Sequence, residues 1–151
     1  MSDHEIPLSR PDITELEEQA VLSVLRSGRL SIGPAVEQFE SMVTKRCGTR
    51  FGVAVSSGTT GLHLVLQALG IKPGDEVITT PFSFIASANC ILYVGATPVF
   101  VDIEPYSFNI DPEQVEAAIS PRTKAICVVH FGGPMADVDR LLSIGAKHGI
   151  P

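Results

Sequence analysis

Phe51-Gly52-Val53-Ala54-Val55-Ser56-Ser57-Gly58-Thr59-Thr60 is a stretch in which the hydrophobic pattern changes period partway along. Phe51 to Val55 is an apolar run of strand length, Ser56 to Thr59 has the composition of a turn, and Thr60 to Leu69 runs at helical spacing until Gly70 stops it. A buried strand turning tightly into a helix is the building unit of parallel sheets. The alternation continues downstream. Strands are expected at Glu76 to Thr80, Thr97 to Asp102 and Lys124 to His130. Helices are expected from about Ser83 to Val94, from Asp111-Pro112-Glu113 to near Ile119, and from Asp137 to His148 with Gly149 as the cap. Four strands alternating with helices predict an α/β fold, with three layers and a mainly parallel sheet covered on both faces.

Upstream of the stretch the pattern is helical. Asp12 is the expected N-cap, with Glu15 three residues on, and Ile13, Leu16, Ala20, Val21, Val24 and Leu25 repeat on one face until Gly28. A second helix is expected from Pro34, through Val36, Phe39, Met42 and Val43, to Gly48. The expected organisation is a helical segment over 1–48 and an α/β region over 49–151.

The chain has 151 residues, which on length alone predicts one domain. Its 17 acidic and 11 basic residues give a net charge of -6. That argues against a protein that binds nucleic acid or an anionic membrane surface, either of which needs clustered Lys and Arg. Mean hydropathy is +0.26, yet no apolar run approaches the ~20 residues that cross a bilayer. The surplus of apolar residues suits a buried sheet or a subunit interface. Cys47, Cys90 and Cys127 are odd in number and widely spaced, which suggests neither a disulfide framework nor a zinc site. Met1 to Glu5 lacks the pattern of a secretory leader, so the expected location is the cytoplasm.

In parallel sheets, ligands collect where strands pass into helices, at their carboxyl ends. Three segments qualify: Ser56 to Thr60, Thr80 to Phe84, and His130 to Pro134. The first has the makings of an anion cup. Gly58 admits a ligand close to the backbone, the N–H groups of Gly58, Thr59 and Thr60 open a helix, and the Ser57 and Thr59 hydroxyls add donors. An ordinary helix N-cap would use the same residues. Neither Gly-x-x-x-x-Gly-Lys-Ser/Thr nor a Gly-x-Gly-x-x-Gly after a strand is present, which argues against the usual nucleotide loops. In Pro81-Phe82-Ser83-Phe84 an aromatic ring could lie against a planar ligand or simply pack in the core. His130 has no neighbour at metal-ligand spacing and reads as a hydrogen-bonded core histidine; His4, His63 and His148 carry no stronger signal. Asp102 and Glu104 do not by their spacing define a catalytic carboxylate pair.

Several motifs occur in order along the chain: Ser27 to Pro34, Phe39-Glu40, Ser56-Ser57-Gly58-Thr59 with Leu62-His63-Leu64, and Gly74-Asp75-Glu76-Val77-Ile78. Pro81 to Phe84, Gly95 to Asp102, Thr123 to Ile126, and Val129-His130 through Ala136-Asp137 complete the series. Together they resemble the DegT/DnrJ/StrS group of pyridoxal-phosphate (PLP) sugar aminotransferases. The resemblance implies the large domain of a fold-type-I, aspartate aminotransferase-like transferase, cut short at its C-terminal side. It implies pyridoxal 5'-phosphate as cofactor, a homodimer, a nucleotide-linked keto-sugar as amino acceptor and glutamate as donor. Carried over by position, Gly58 and Thr59, with Ser57 and the Thr60 amide, hold the cofactor phosphate, and Phe84 stacks on its ring. Ser83 stands where Thr is more common.

Cofactor chemistry of this kind needs a lysine to hold the cofactor and move protons, and an acid on the pyridine nitrogen. In the resembled group these lie in a Glu-Asp-x-x-Gln type strand and a Ser-x-x-Lys loop, both beyond a segment like Lys147 to Pro151. None of Lys45, Lys72, Lys124 and Lys147 has Ser three residues before it, so no catalytic residue is assigned. The first expectation is therefore the N-terminal part of an aminotransferase, inactive by itself. A related sugar dehydratase and a non-catalytic truncated or regulatory protein are the alternatives.

Overall fold

A computed structural model describes residues 9–151; Met1 to Leu8, including His4 and the stretch inspected for a leader, lie outside the described residues. The chain divides into two compact units, one ending at Ala54 and the other spanning Val55–Pro151.

The first unit contains α1 (Glu15–Ser27) and α2 (Pro34–Cys47). The N-cap of α1 is Thr14, two residues later than the expected Asp12. Thr14 Oγ1 accepts from the Leu16 N–H, and the Glu17 carboxylate accepts from the Thr14 N–H at 2.7 Å. Both starts satisfy a capping-box pattern. The later one puts Glu15, Glu17 and Glu18 in the first turn, where the positive end of the helix favours carboxylates. Gly28 and Gly48 end the two helices in the left-handed conformation, with φ of 69° and 66°.

After α2 the expected strand Phe51 to Val55 does not form. Phe51 and Val53 are exposed. The Ala54 N–H goes to Glu40 Oε1 at 2.7 Å instead of to a neighbouring chain. A strand exists only through a lateral partner, and no described strand pairs with this segment. It runs close against α2, where a Cβ on Gly52 would lie 2.9 Å from Thr44 Cγ2.

The second unit runs α3 (Gly58–Ala68), β1 (Glu76–Thr79), α4 (Ala86–Tyr93), β2 (Thr97–Phe100), α5 (Pro112–Ala118), β3 (Thr123–Ile126) and α6 (Val138–His148). The strands form a parallel sheet in the order β2-β1-β3, with Ile78 opposite Val99 on one side and Ile126 on the other. β1 is central and buried throughout. Its side chains alternate between two cores. Val77 packs with Leu66, Cys90, Ile91 and Ala96 under α3 and α4. Ile78 packs with Ile110, Val115, Leu141 and Ile144 under α5 and α6. The result is the three-layer α/β arrangement that the alternation predicts. α4 begins at Ala86 rather than Ser83, because Pro81 to Phe84 first makes a turn in which the Ser83 N–H bonds the Pro81 carbonyl at 3.0 Å.

The amino end of the sheet is closed by a polar clip. The Glu76 carboxylate accepts from Ser120 Oγ at 2.5 Å and from the Arg122 guanidinium, which donates from Nε at 2.9 Å and from Nη2. The Ser120 hydroxyl first, and Arg122 second, hold the Glu76 carboxyl below its ordinary value.

Candidate functional site

α3 leads by a short turn into β1, and β1 leads by another into α4, so both helices run against the strand between them. That places the N-termini of α3 and α4 at the carboxyl end of β1, where α/β sheets bind ligands. The segment 56–60 and the segment 81–85 are therefore on the same side of the sheet.

Ser57 is the N-cap of α3 in extended conformation, and its Oγ accepts from the Thr60 N–H at 3.1 Å. The Thr60 amide, expected among the free donors, is thus already used. Thr60 is the third helical residue, the usual partner of an N-cap side chain. Thr60 Oγ1 lies 3.0 Å from Ser57 Oγ and 3.3 Å from Ser56 Oγ, linking the three hydroxyls. Gly58 and Thr59 occupy the first two helical positions, where the helix supplies no acceptor for their N–H groups. A Cβ on Gly58 would meet nothing within 4 Å, so the space beside the first helical residue is open. Two backbone N–H groups at the positive end of an 11-residue helix, with room in front, suit a phosphate.

Phe84 is 77% exposed and presents a free ring, as a residue stacking on a planar ligand would. Ser83 Oγ lies 2.8 Å from Ser87 Oγ, which occupies its hydroxyl within the turn. Phe82 behaves differently. Its ring centroid lies 4.5 Å from that of Phe131 and 6.0 Å from that of Phe108. This trio joins three loops of the unit, and only Phe82 belongs to a segment singled out for a ligand ring.

Beside the trio stands a residue that the motifs did not mark. Asn109 is 2% exposed; its Oδ1 accepts from the Phe131 N–H at 2.9 Å and its Nδ2 donates to the Pro134 carbonyl at 3.2 Å. Phe108, just before it, has φ of 57°, a conformation that costs a non-glycine residue on the order of 1–3 kcal/mol. In the sequence Ser107-Phe108-Asn109 looks like any polar turn; a buried Asn pairing with a loop 22–25 residues away leaves no local signal.

The remaining candidates have structural partners. His130 is exposed rather than buried in the core, and its Nδ1 accepts from the Ala136 N–H at 3.1 Å. His63 and Tyr93 make an edge-type ring contact with centroids 5.6 Å apart. Asp102 accepts from the Ile103 N–H and Glu104 from Ser107 Oγ, each within its own turn. Lys124 donates to the Pro121 carbonyl and Lys147 to Glu116. Lys72, in the turn entering β1, and Lys124, at the start of β3, stand at the amino end of the sheet. Lys147, in the last turn of α6, is held against Glu116 on the outside of the helix layer. No lysine occurs in any of the three segments at the carboxyl ends of the strands. Among the described residues no helix is long and apolar enough to cross a membrane.

Known proteins share this arrangement. The spore coat polysaccharide biosynthesis protein SpsC of Bacillus subtilis is 49% identical over 148 residues, 98% of this chain and 38% of SpsC. The solved structure of S. venezuelae DesV is 43% identical with a TM-score of 0.84, over 88% of this chain and 36% of DesV. The Streptococcus pneumoniae protein Spr1654, in its PLP form, is 40% identical with a TM-score of 0.90, over 96% of this chain and 37% of that protein. The chain thus spans a little over one third of the length of these relatives. Residues 11–151 match the profile of the DegT/DnrJ/EryC1/StrS aminotransferase family, and the chain belongs to that family.

Proposed function

We propose that this chain carries the phosphate-binding and ring-facing part of a pyridoxal 5'-phosphate site. The whole enzyme is an aminotransferase acting on a nucleotide-linked keto-sugar with glutamate as amino donor. The observation that carries the reading is the pairing of unused Gly58 and Thr59 N–H groups with an exposed Phe84 on the same side of the sheet. The PLP form of Spr1654 supports the choice of cofactor.

Bound here, the cofactor would supply a conjugated ring able to take up electrons from the amino substrate. The chain's own residues do the holding. The Gly58 and Thr59 amides meet the phosphate, the Ser57 cap keeps the helix end in place, and Phe84 covers one ring face. The positions of the lysines support the further reading that this polypeptide does not transaminate by itself. A homodimer and a cytoplasmic location complete the reading. The apolar residues left exposed on α1 and α2, among them Leu16, Leu25, Phe39 and Met42, support a surface that another surface covers.

Titration of the isotope-labelled chain with inorganic phosphate tests the site. Saturable amide shifts centred on Gly58 and Thr59 are expected, and their absence overturns the reading. Borohydride reduction after adding pyridoxal phosphate is expected to label no lysine selectively; selective labelling of one of the four would show a Schiff-base lysine within this chain and overturn the ground for that reading.

A further inference from the structure

The trio of phenylalanines and the buried Asn109 are not needed to hold a phosphate, yet they join the segment that carries Phe84 to two other loops. From this we infer that Asn109 is a positioning residue for Phe84, acting through Phe131 and Phe82. The inference rests on the cofactor site proposed above and names a further part of it.

The connection can be followed atom by atom. A short antiparallel turn, closed by the Ile103–Ile110 bridge and by the Glu104 N–H bonding the Asn109 carbonyl at 2.9 Å, carries Phe108 and Asn109. The positive φ of Phe108 is maintained within this turn, and its ring joins those of Phe82 and Phe131. Asn109 spends both ends of its amide on one loop, bonding Phe131 at the near side and Pro134 at the far side. That loop contains Gly132 and Gly133, both at positive φ, and without the clamp its backbone would have wide freedom. The clamp fixes Phe131, and Phe131 is the closest ring to Phe82. Phe82 stands two residues before Phe84, in a turn otherwise held by the local hydrogen bonds of Thr80, Ser83 and Ser87. A buried amide whose oxygen and nitrogen are each hydrogen-bonded favours one arrangement, because another would leave a polar group unpaired. Here the arrangement so specified ends at the ring that faces the cofactor.

A positioning role predicts a split between two ligands. Inorganic phosphate uses only the helix end, whereas pyridoxine 5'-phosphate, which has the ring and lacks the reactive aldehyde, also uses Phe84. Affinities of both are measured for the chain and its variants by equilibrium dialysis. Asn109→Ala is expected to lower pyridoxine 5'-phosphate affinity about fivefold, the scale of one lost aromatic contact, with phosphate affinity unchanged. Phe82→Leu, at a half-exposed site that folding tolerates, is expected to do the same, and Phe84→Ala sets the full size of the effect. If either folded variant keeps the wild-type preference for pyridoxine 5'-phosphate, the positioning role is overturned. Equal loss for both ligands also overturns it, since that is the mark of general structural damage. If the wild-type chain binds neither ligand, the cofactor site itself fails and takes this role with it.

Discussion

At the amino end of the sheet, Glu76 is surrounded by Ser120 and Arg122 and its hydrogen bonds are filled from within the chain. At the carboxyl end, Gly58 and Thr59 open a helix with donors that the helix does not use, and Phe84 faces outward. The same strand, β1, runs into both ends. A satisfied polar cluster adds order and leaves nothing to offer a ligand, whereas unused donors and an exposed ring mark where a ligand would complete the structure. The division of labour explains why the lysines of the second unit, placed in the turn before β1, at the start of β3 and on the outer side of α6, carry structural bonds or none.

The largest effect expected is the one that removes the distinction. Ile78 is fully buried in the strand that both ends share, and Ile78→Ala should cost about 2–5 kcal/mol in urea unfolding. Phosphate binding and the Glu76 clip should then be lost together on mild denaturation. Loss of one well before the other would show that the ends are independent. Ser57→Ala tests the carboxyl end alone. It removes the cap on the Thr60 N–H and should cost ~1 kcal/mol, while the acid sensitivity of the chain stays as in the wild type.

Glu76→Gln tests the amino end alone and has the smallest effect at neutral pH. Because its folded pKa is lowered, Glu76 contributes stability that is present above the ordinary carboxylate value of about 4.3 and is lost as pH falls through the lower folded value. Unfolding midpoints measured from pH 7 downward should therefore fall less steeply for Glu76→Gln than for wild type. Parallel curves would remove Glu76 from the acid response.

Much of this contrast could be read before the structure. Gly28, Gly48 and Gly149 mark the helix ends, Pro34 and Pro112 the starts, and the apolar runs at β1 and β2 locate strands, because these signals are local. The ordered motifs pointed to Ser57, Gly58, Thr59, Thr60 and Phe84 as one group, and topology brings their segments to one side of the sheet. What escaped depended on partners distant in sequence. Phe51 to Val55 has strand composition but no neighbour to pair with, and the burial of Asn109 comes from a loop that folds over it. Of the two uses the sequence leaves open for the Thr60 amide, the structure shows the N-cap bond to Ser57 Oγ.

The strand order carries a consequence in time. β1 is formed first along the chain yet lies in the middle, paired with Thr97–Phe100 on one side and with Thr123–Ile126 on the other. Joining β1 to β3 closes a loop roughly twice as long as joining it to β2, which costs about 0.6 kcal/mol more in chain entropy. The route that loses less entropy at its first step assembles β1 and β2 first, on the side lined by α3 and α4, and adds β3 to a strand that is already half enclosed. On that route the helix end bearing Gly58 is in place before the loop that Asn109 clamps, so the open N-terminus of α3 precedes the packing of Phe131 on Phe82.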